Sequence, residues 1–449
     1  MKKFVLASLC LAPLLLCCGC GKTDAVSSAA SSAPPAETVS MLPEAEEPAV
    51  LTVARMENNR FVTEVINAFN EANTGTQAQS EWFYDREGEL KLSLIAGDGP
   101  DLMSLEFFDY EIYAAKGVFA DLYPLLDGDP DISRGDLVEP VLEAMEYQDG
   151  ALYQIAPSYH LSCMFTCPDV IDPDLPWDLD TVEAWMDAHP GARFTVDAEE
   201  PADILSILLQ GYLQELVDYE TMTCDFTSGL FVRLLEDASA WARRLWTYDG
   251  PGADAYSSGA LIGDWCYLRD FDTYQQMRDL GLVTPSGFPS AADSGVYVGS
   301  VTRFSICNGT GTEQLAWDFI KTALSPALQQ DAPWLPLLKS ELDARAQAAQ
   351  GEQPPVVTEV FVDPEGAALG TNTAKVQITL PPAPTMDSGA VSEMLSLLDQ
   401  ASGCRGNSDA NVQSIIYEEA ASYFDGGKPP EDVAEIVQNR VEIYLSERA

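Results

Sequence analysis

"LTVARMENNRFVTEVINAFNEANTGTQAQSEWFYDREGELKLSLIAGDGPDLMSLE", residues 51–106, decides the fold. It opens on LTVAR, a short β-rich run. In FVTEVINAFNEANTG the apolar residues Phe61, Val65, Ile66 and Phe69 recur on one helical face, and Gly75 stops the run. AQSEWFY reads as a second strand. EGELKLSLIAGDG reads as a second helix with Leu90, Leu94 and Ile95 on one side, and PDLMSLE as a third strand. Strand, helix, strand, helix, strand with short joints predicts a parallel sheet in a doubly wound α/β domain.

Within this stretch, AGDGPDLMSL (96–105) has the glycines and aspartates of a phosphate or metal loop. A phosphate loop sets its glycines after a strand and before a helix, so that free backbone N–H groups point at the anion. Here the order is reversed. A helix runs into Gly97, and Pro100 suits the first residue of a strand, so the segment reads as a helix C-cap and a turn.

Outward from this core, 449 residues with 46% hydrophobic side chains are enough for two domains. With 24 basic and 71 acidic side chains the net charge is -47. That balance excludes attraction to nucleic acid or to an anionic membrane surface and reads as a solubilising surface. At the N-terminus, Lys2 and Lys3 precede an apolar run from Phe4 to Cys18. Its length suits a signal h-region and falls short of the roughly 20 residues that span a bilayer. Gly19–Cys20 resembles the end of a bacterial lipobox, with Cys17 standing where that motif usually has leucine, so Cys20 is the expected lipidation site. The Ser-, Ala-, Pro- and Glu-rich segment after it predicts a disordered tether, on the order of 30 Å long as a flexible coil.

Six cysteines lie beyond the signal region: Cys163, Cys167, Cys224, Cys266, Cys307 and Cys404. They form no CxxC pair, and with two histidines in the chain no metal centre is expected. Cys163 and Cys167 are close in sequence, but four residues along a strand is about 13 Å, too far for a disulfide, so buried free thiols are expected. DGDPDISRGDLV mimics a calcium loop through Asp127, Asp129 and Asp131, yet Ile132 and Val138 hold the glycine and glutamate positions. GxSxG, HExxH, Walker and GxGxxG signatures are missing, and no cofactor is expected.

FNEANTG, AGDGPDLMSL, YAAKGVFADLYPLL and DGALYQIAPSY together resemble the N-terminal lobe of the extracellular solute-binding proteins, family 1, that serve ABC sugar importers. FSICNGTGTEQLAWDFIKTALS is similar to that family's return segment, and IIYEEAASYFDGGKPPEDVAEIVQNRVEIYLSE to its C-terminal helices. In the latter, Val433, Ile436, Val437, Val441 and Tyr444 repeat at helical spacing behind Glu431 and Asp432. Tyr444 and Trp317 are accordingly expected in the core. The middle, roughly 165–260, shows only apolar helices such as ADILSILLQGYLQELV.

The resemblance implies an α/β, two-lobed periplasmic-binding-protein-like fold with a hinge and a central ligand cleft. Its domains would be a signal peptide over 1–19, a lipidated tether over 20–50, lobe 1 over 51–156 plus 300–335, and lobe 2 over 157–299 plus 336–449. Ligands of open α/β sheets lie beyond the carboxyl ends of strands. A sugar presents an apolar face to aromatic rings and a hydroxyl rim to carboxylates and amides. The candidates are therefore Glu57, Asn58, Trp82, Tyr84, Glu106 and Asp109 from loops of lobe 1, and Tyr159 and His160 from the hinge. Asp264, Trp265 and Phe288 come from lobe 2, and Arg303 either forms a hinge salt bridge or reaches ligand. The implied protein is a monomeric, non-enzymatic lipoprotein on the outer face of the cell membrane. It would bind a mono- or oligosaccharide and hand it to an ABC permease. A surface glycan-degrading enzyme and a same-fold sensor for a membrane signalling protein are the alternatives.

Overall fold

The computed structural model describes residues 49–447 except 74, 106–109, 148, 167–174, 197, 220, 245–253, 291–294, 301, 352–355, 363–373, 381–384 and 405–409. In chain order, the strands of its two larger sheets are β1 (Ala49–Arg55), β2 (Thr76–Trp82), β3 (Leu102–Ser104), β4 (Ser158–Thr166), β5 (Gly263–Leu268), β6 (Thr284–Pro285), β7 (Tyr297–Gly299), β8 (Phe304–Ile306), β9 (Leu335–Pro336) and β10 (Ser402–Cys404). The longer helices are α1 (Arg60–Ala72), α2 (Glu87–Ala96), α3 (Leu179–Ala188), α4 (Pro201–Leu216), α5 (Leu230–Ala242), α6 (Phe271–Asp279), α7 (Glu313–Ala323), α8 (Lys339–Gln350), α9 (Ser388–Ser396), α10 (Ala410–Phe424) and α11 (Pro430–Ser446). Pairs 356–362 with 374–380, and 217–218 with 223–224, form separate two-stranded hairpins.

The first sheet has the order β8-β3-β1-β2. β1 runs parallel to both β2 and β3, as the strand–helix alternation requires, and begins at Ala49, two residues before the expected start. The return segment enters as β8, antiparallel to β3. On α1, Phe61, Val62, Val65, Ile66 and Phe69 are all buried against this sheet. α2 ends at Gly97 with φ 75°, a left-handed turn that only glycine adopts without strain, so AGDGPDLMSL begins with the expected C-cap. Ile95 departs from expectation: Leu90 and Leu94 are buried, but Ile95 is 62% exposed, since one residue turns the helix about 100° away from Leu94's face.

The second sheet has the order β9-β4-β7-β10, with β5 and β6 also pairing β4. All nine residues of β4 are buried, because alternate side chains enter two different cores. Tyr159, Leu161, Cys163 and Phe165 join a cluster with Phe271, Tyr274, Leu342, Val391 and Met394 of α6, α8 and α9. Through Ile155, Leu335 and Leu337 that cluster is continuous with the core beneath the first sheet. On the opposite face, Met164 joins a second cluster built by α3, α4, α5, α10 and α11. Here Val433, Val437 and Val441 of α11 are buried as expected, while Tyr444 packs at the margin. α4 buries nine of its residues, and Gly211 lets it approach so closely that a Cβ there would lie 1.8 Å from the Pro289 carbonyl oxygen.

The calcium-like loop is tied by the chain's own donors. Arg134 pairs with Asp127 at 2.7 Å, while Asp129 accepts from the buried Trp317 Nε1 at 2.8 Å and from Lys321 Nζ at 2.9 Å. Cys163 and Cys307 are buried free thiols, as expected, whereas Cys224 and Cys266 are free but only partly buried; Cys167 lies outside the described residues. Closeness in space, however, pairs Cys163 with Cys266, directly opposite it on β5. The signal segment, Cys20 and the tether up to Pro48 lie outside the described residues. Among the described residues no helix is long and apolar enough to cross a membrane.

Candidate functional site

Parallel pairing of β1 and β2 sets Arg55 opposite Trp82, so the loops after both strands emerge side by side. They enclose a cavity of about 290 Å³ lined by Met56, Glu57, Asn58, Trp82 and Tyr84. Trp82 is 43% exposed and Tyr84 78%. Arg55 backs the indole, its guanidinium carbon 4.5 Å from the ring centroid. The same guanidinium is buried and donates to the Asn59 carbonyl at 2.5 Å, Thr63 Oγ1 at 3.0 Å and Ser80 Oγ at 3.3 Å. A ring held by a cation on one face cannot swing freely, and its remaining face is a preset stacking surface.

Across the same β1–α1 turn lies a larger cavity, about 680 Å³, within the range of small-molecule sites. Its walls include Asn59, Arg60 and Glu64 at the start of α1, Thr302 between β7 and β8, and Asp331 and Trp334 ahead of β9. Because β9 pairs with β4, this cavity lies between elements of the two sheets. Asn59 locks one wall: its Oδ1 accepts from the Phe61 N–H at 2.9 Å, capping α1, and its Nδ2 donates to Thr302 Oγ1 at 2.5 Å.

From Trp334 a line of rings runs over the second sheet. His160 meets Trp334 edge-on at 4.8 Å and Tyr267 at 4.6 Å, and Tyr267 meets Trp265 at 5.1 Å. Strand register explains the line. Met164 opposes Trp265 and Ser162 opposes Tyr267, so Trp265, Tyr267 and His160 share one face of the β4–β5 pair. Tyr267 is 48% exposed, whereas His160 is nearly buried. Burial, with the Arg269 cation nearby, holds the imidazole neutral and lowers its pKa to about 4. Gly299, opposite His160 on β7, leaves the space that the ring fills, since a Cβ there would sit 2.4 Å from Nε2.

Of the residues expected at the site, Glu57, Asn58, Trp82 and Tyr84 come together around the smaller cavity, and His160 and Trp265 belong to the ring line. Glu106 and Asp109 lie outside the described residues. Three placements correct the expectation. Tyr159 is fully buried, because strand alternation turns it to the core side when His160 faces the other way. Phe288 is buried and stacks on Tyr297 with the planes 10° apart. Asp264 alternates away from Trp265 and accepts from Tyr256 Oη at 2.7 Å. Arg303 is buried, donating to Gln154 Oε1 and the Leu105 carbonyl, each at 3.0 Å.

Sequence reading missed Arg55, Met56, Tyr267 and Trp334. Tyr267 carried a signal, standing two residues from Trp265 and hence on its face of the strand. Trp334 carried none, since it reaches His160 only through the β9–β4 pairing.

A family model described as bacterial extracellular solute-binding protein matches residues 64–340. The chain belongs to that family. Its membership bears out the expected resemblance. No curated protein matches this solute-binding protein by sequence. Solved structures share its fold. A periplasmic oligogalacturonide binding protein from Yersinia enterocolitica aligns with TM-score 0.53 at 12% identity, over 89% of this chain and 100% of the other. The sugar-binding protein MalE from Xanthomonas citri aligns with TM-score 0.52 at 14% identity, over 89% and 98%. An ABC substrate-binding protein from Listeria monocytogenes, solved in complex with cycloalternan, aligns with TM-score 0.51 at 14% identity, over 89% and 100%. At such identities the likeness establishes the periplasmic-binding-protein-like α/β fold.

Proposed function

We propose that this solute-binding protein captures a carbohydrate between two lobes and delivers it unaltered to an ABC permease, tethered to the outer face of the membrane through lipid on Cys20. The lobes are residues 51–156 with 300–335, and 157–299 with 336–449, and the three chain passes between the sheets form the hinge. One observation carries the reading: the exposed Trp82, clamped by Arg55, opens beside Glu57 and Asn58. An apolar sugar face stacks on the indole while hydroxyls donate to the carboxylate and exchange hydrogen bonds with the amide. Trp334, at the end of the ring line, lines the neighbouring larger cavity. Three solved neighbours named for sugars, or solved with one, point the same way. The net charge of -47 favours a neutral ligand over a polyanionic one.

The test is a thermal-shift screen of the purified protein against neutral mono- and oligosaccharides, followed by chromatography of each hit. A ligand at 100 times its Kd stabilises the native state by about 2.7 kcal/mol. A sugar that raises Tm and is recovered intact supports the proposal. A hit that is consumed would identify an enzyme instead, and a panel without any shift would remove carbohydrate as the cargo.

A further inference from the structure

The geometry points to a redox-active dithiol in the second sheet: Cys163 of β4 and Cys266 of β5 close to a cross-strand disulfide when the protein meets a low-molecular-weight disulfide. The two residues are directly opposed in an antiparallel ladder. Opposed residues of such a ladder have Cα atoms about 4.5–5.5 Å apart, inside the roughly 4.4–6.8 Å that a disulfide spans. Both side chains face the same apolar cluster, where Cys163 is fully buried and Cys266 packs at its margin. Burial, with Cys266 alongside, pushes the Cys163 pKa well up. Exposure therefore assigns the order of events.

Cys266, the less buried of the two, reacts first. Its thiolate attacks one sulfur of glutathione disulfide, breaking that S–S bond, forming a mixed disulfide and releasing one glutathione thiolate. Cys163 then gives its proton to water and attacks the Cys266 sulfur, forming the protein disulfide and expelling the second glutathione thiolate. Two protein thiols are oxidised and one glutathione disulfide is reduced to two thiols. Cys163 needs no access to the oxidant, because its partner delivers the reactive sulfur. Among the described residues β5 pairs only with β4, so the bond would bolt the strand carrying Trp265 and Tyr267 to the one carrying His160.

Peptide mapping of the full chain, alkylated under denaturing conditions after incubation with glutathione disulfide, tests this. The expected result is one peptide pair linking Cys163 to Cys266, with Cys224 and Cys307 alkylated, and a Tm rise of about 4 °C from closing a loop of this length. Cys163→Ala is expected to trap glutathione on Cys266. Both cysteines alkylated in the treated wild type, glutathione retained on its Cys266, or Cys266 linked to a different cysteine would each overturn the inference. The wild-type map stands whether or not the variant folds.

Discussion

His160 makes the stability of this protein pH-dependent in a window that can be worked out. Its folded pKa of about 4 lies below the ordinary value of 6.5 because the ring is buried, with Arg269 adding repulsion. The unfolded chain thus takes up a proton between these values while the folded chain resists it. Stability is unaffected by this residue above pH 6.5 and is lost as pH falls toward 4. The gap of about 2.5 units corresponds to about 3 kcal/mol in full, of which about 2.5 kcal/mol is lost between pH 7 and pH 4.5. Other carboxylates titrate over the same range, so the assay is a difference. Urea unfolding at pH 7, 6, 5 and 4.5 is compared for wild type and His160→Gln, whose packing cost is a constant offset. The wild-type stability is expected to fall more steeply, the two curves converging by about 2.5 kcal/mol. Parallel curves would refute the reasoning and mean that the imidazole is hydrated or paired rather than wedged between Trp334 and Tyr267.

Trp82→Ala is expected to weaken the bound sugar by about 2 kcal/mol, roughly 30-fold in Kd by calorimetry, with Trp82→Phe retaining most of the affinity. Asp237 is buried, and its carboxyl is pushed up to about 7 by desolvation and the nearby Glu183, with Arg233 only partly offsetting them. Its folded pKa is raised, so stability is lost as pH climbs from about 4 through 7. Asp237→Asn is expected to raise stability at pH 8 by about 1–2 kcal/mol, allowing for solvent screening, and to change little at pH 4 when followed by urea unfolding. Gly211→Ala forces a Cβ onto the Pro289 carbonyl, a backbone atom that cannot swing aside. A loss of about 3 kcal/mol is expected, read as a lower urea midpoint, and an unchanged midpoint would mean that α4 and the Pro289 loop are further apart.

Local patterns were sufficient for the elements of residues 51–106 and their order. Helical spacing of Phe61, Val65, Ile66 and Phe69, the Gly97 cap and the strand–helix alternation are all properties of adjacent residues, and they specify a parallel sheet that contains β1, β2 and β3. The cluster of Glu57, Asn58, Trp82 and Tyr84 was legible for the same reason, since loops after neighbouring parallel strands must emerge together. Tertiary structure alone decided which face each strand residue takes and what meets it there. Tyr159 and His160 are consecutive in sequence, yet one lies in the core and the other joins a wall of rings, because β4 is covered on both sides by unrelated helices. Trp334 reaches that wall from 174 positions away, and Cys266 faces Cys163 across a ladder. Such contacts depend on strand register between segments distant in the chain, and register is set by the packing of the whole body, not by the composition of any stretch within it.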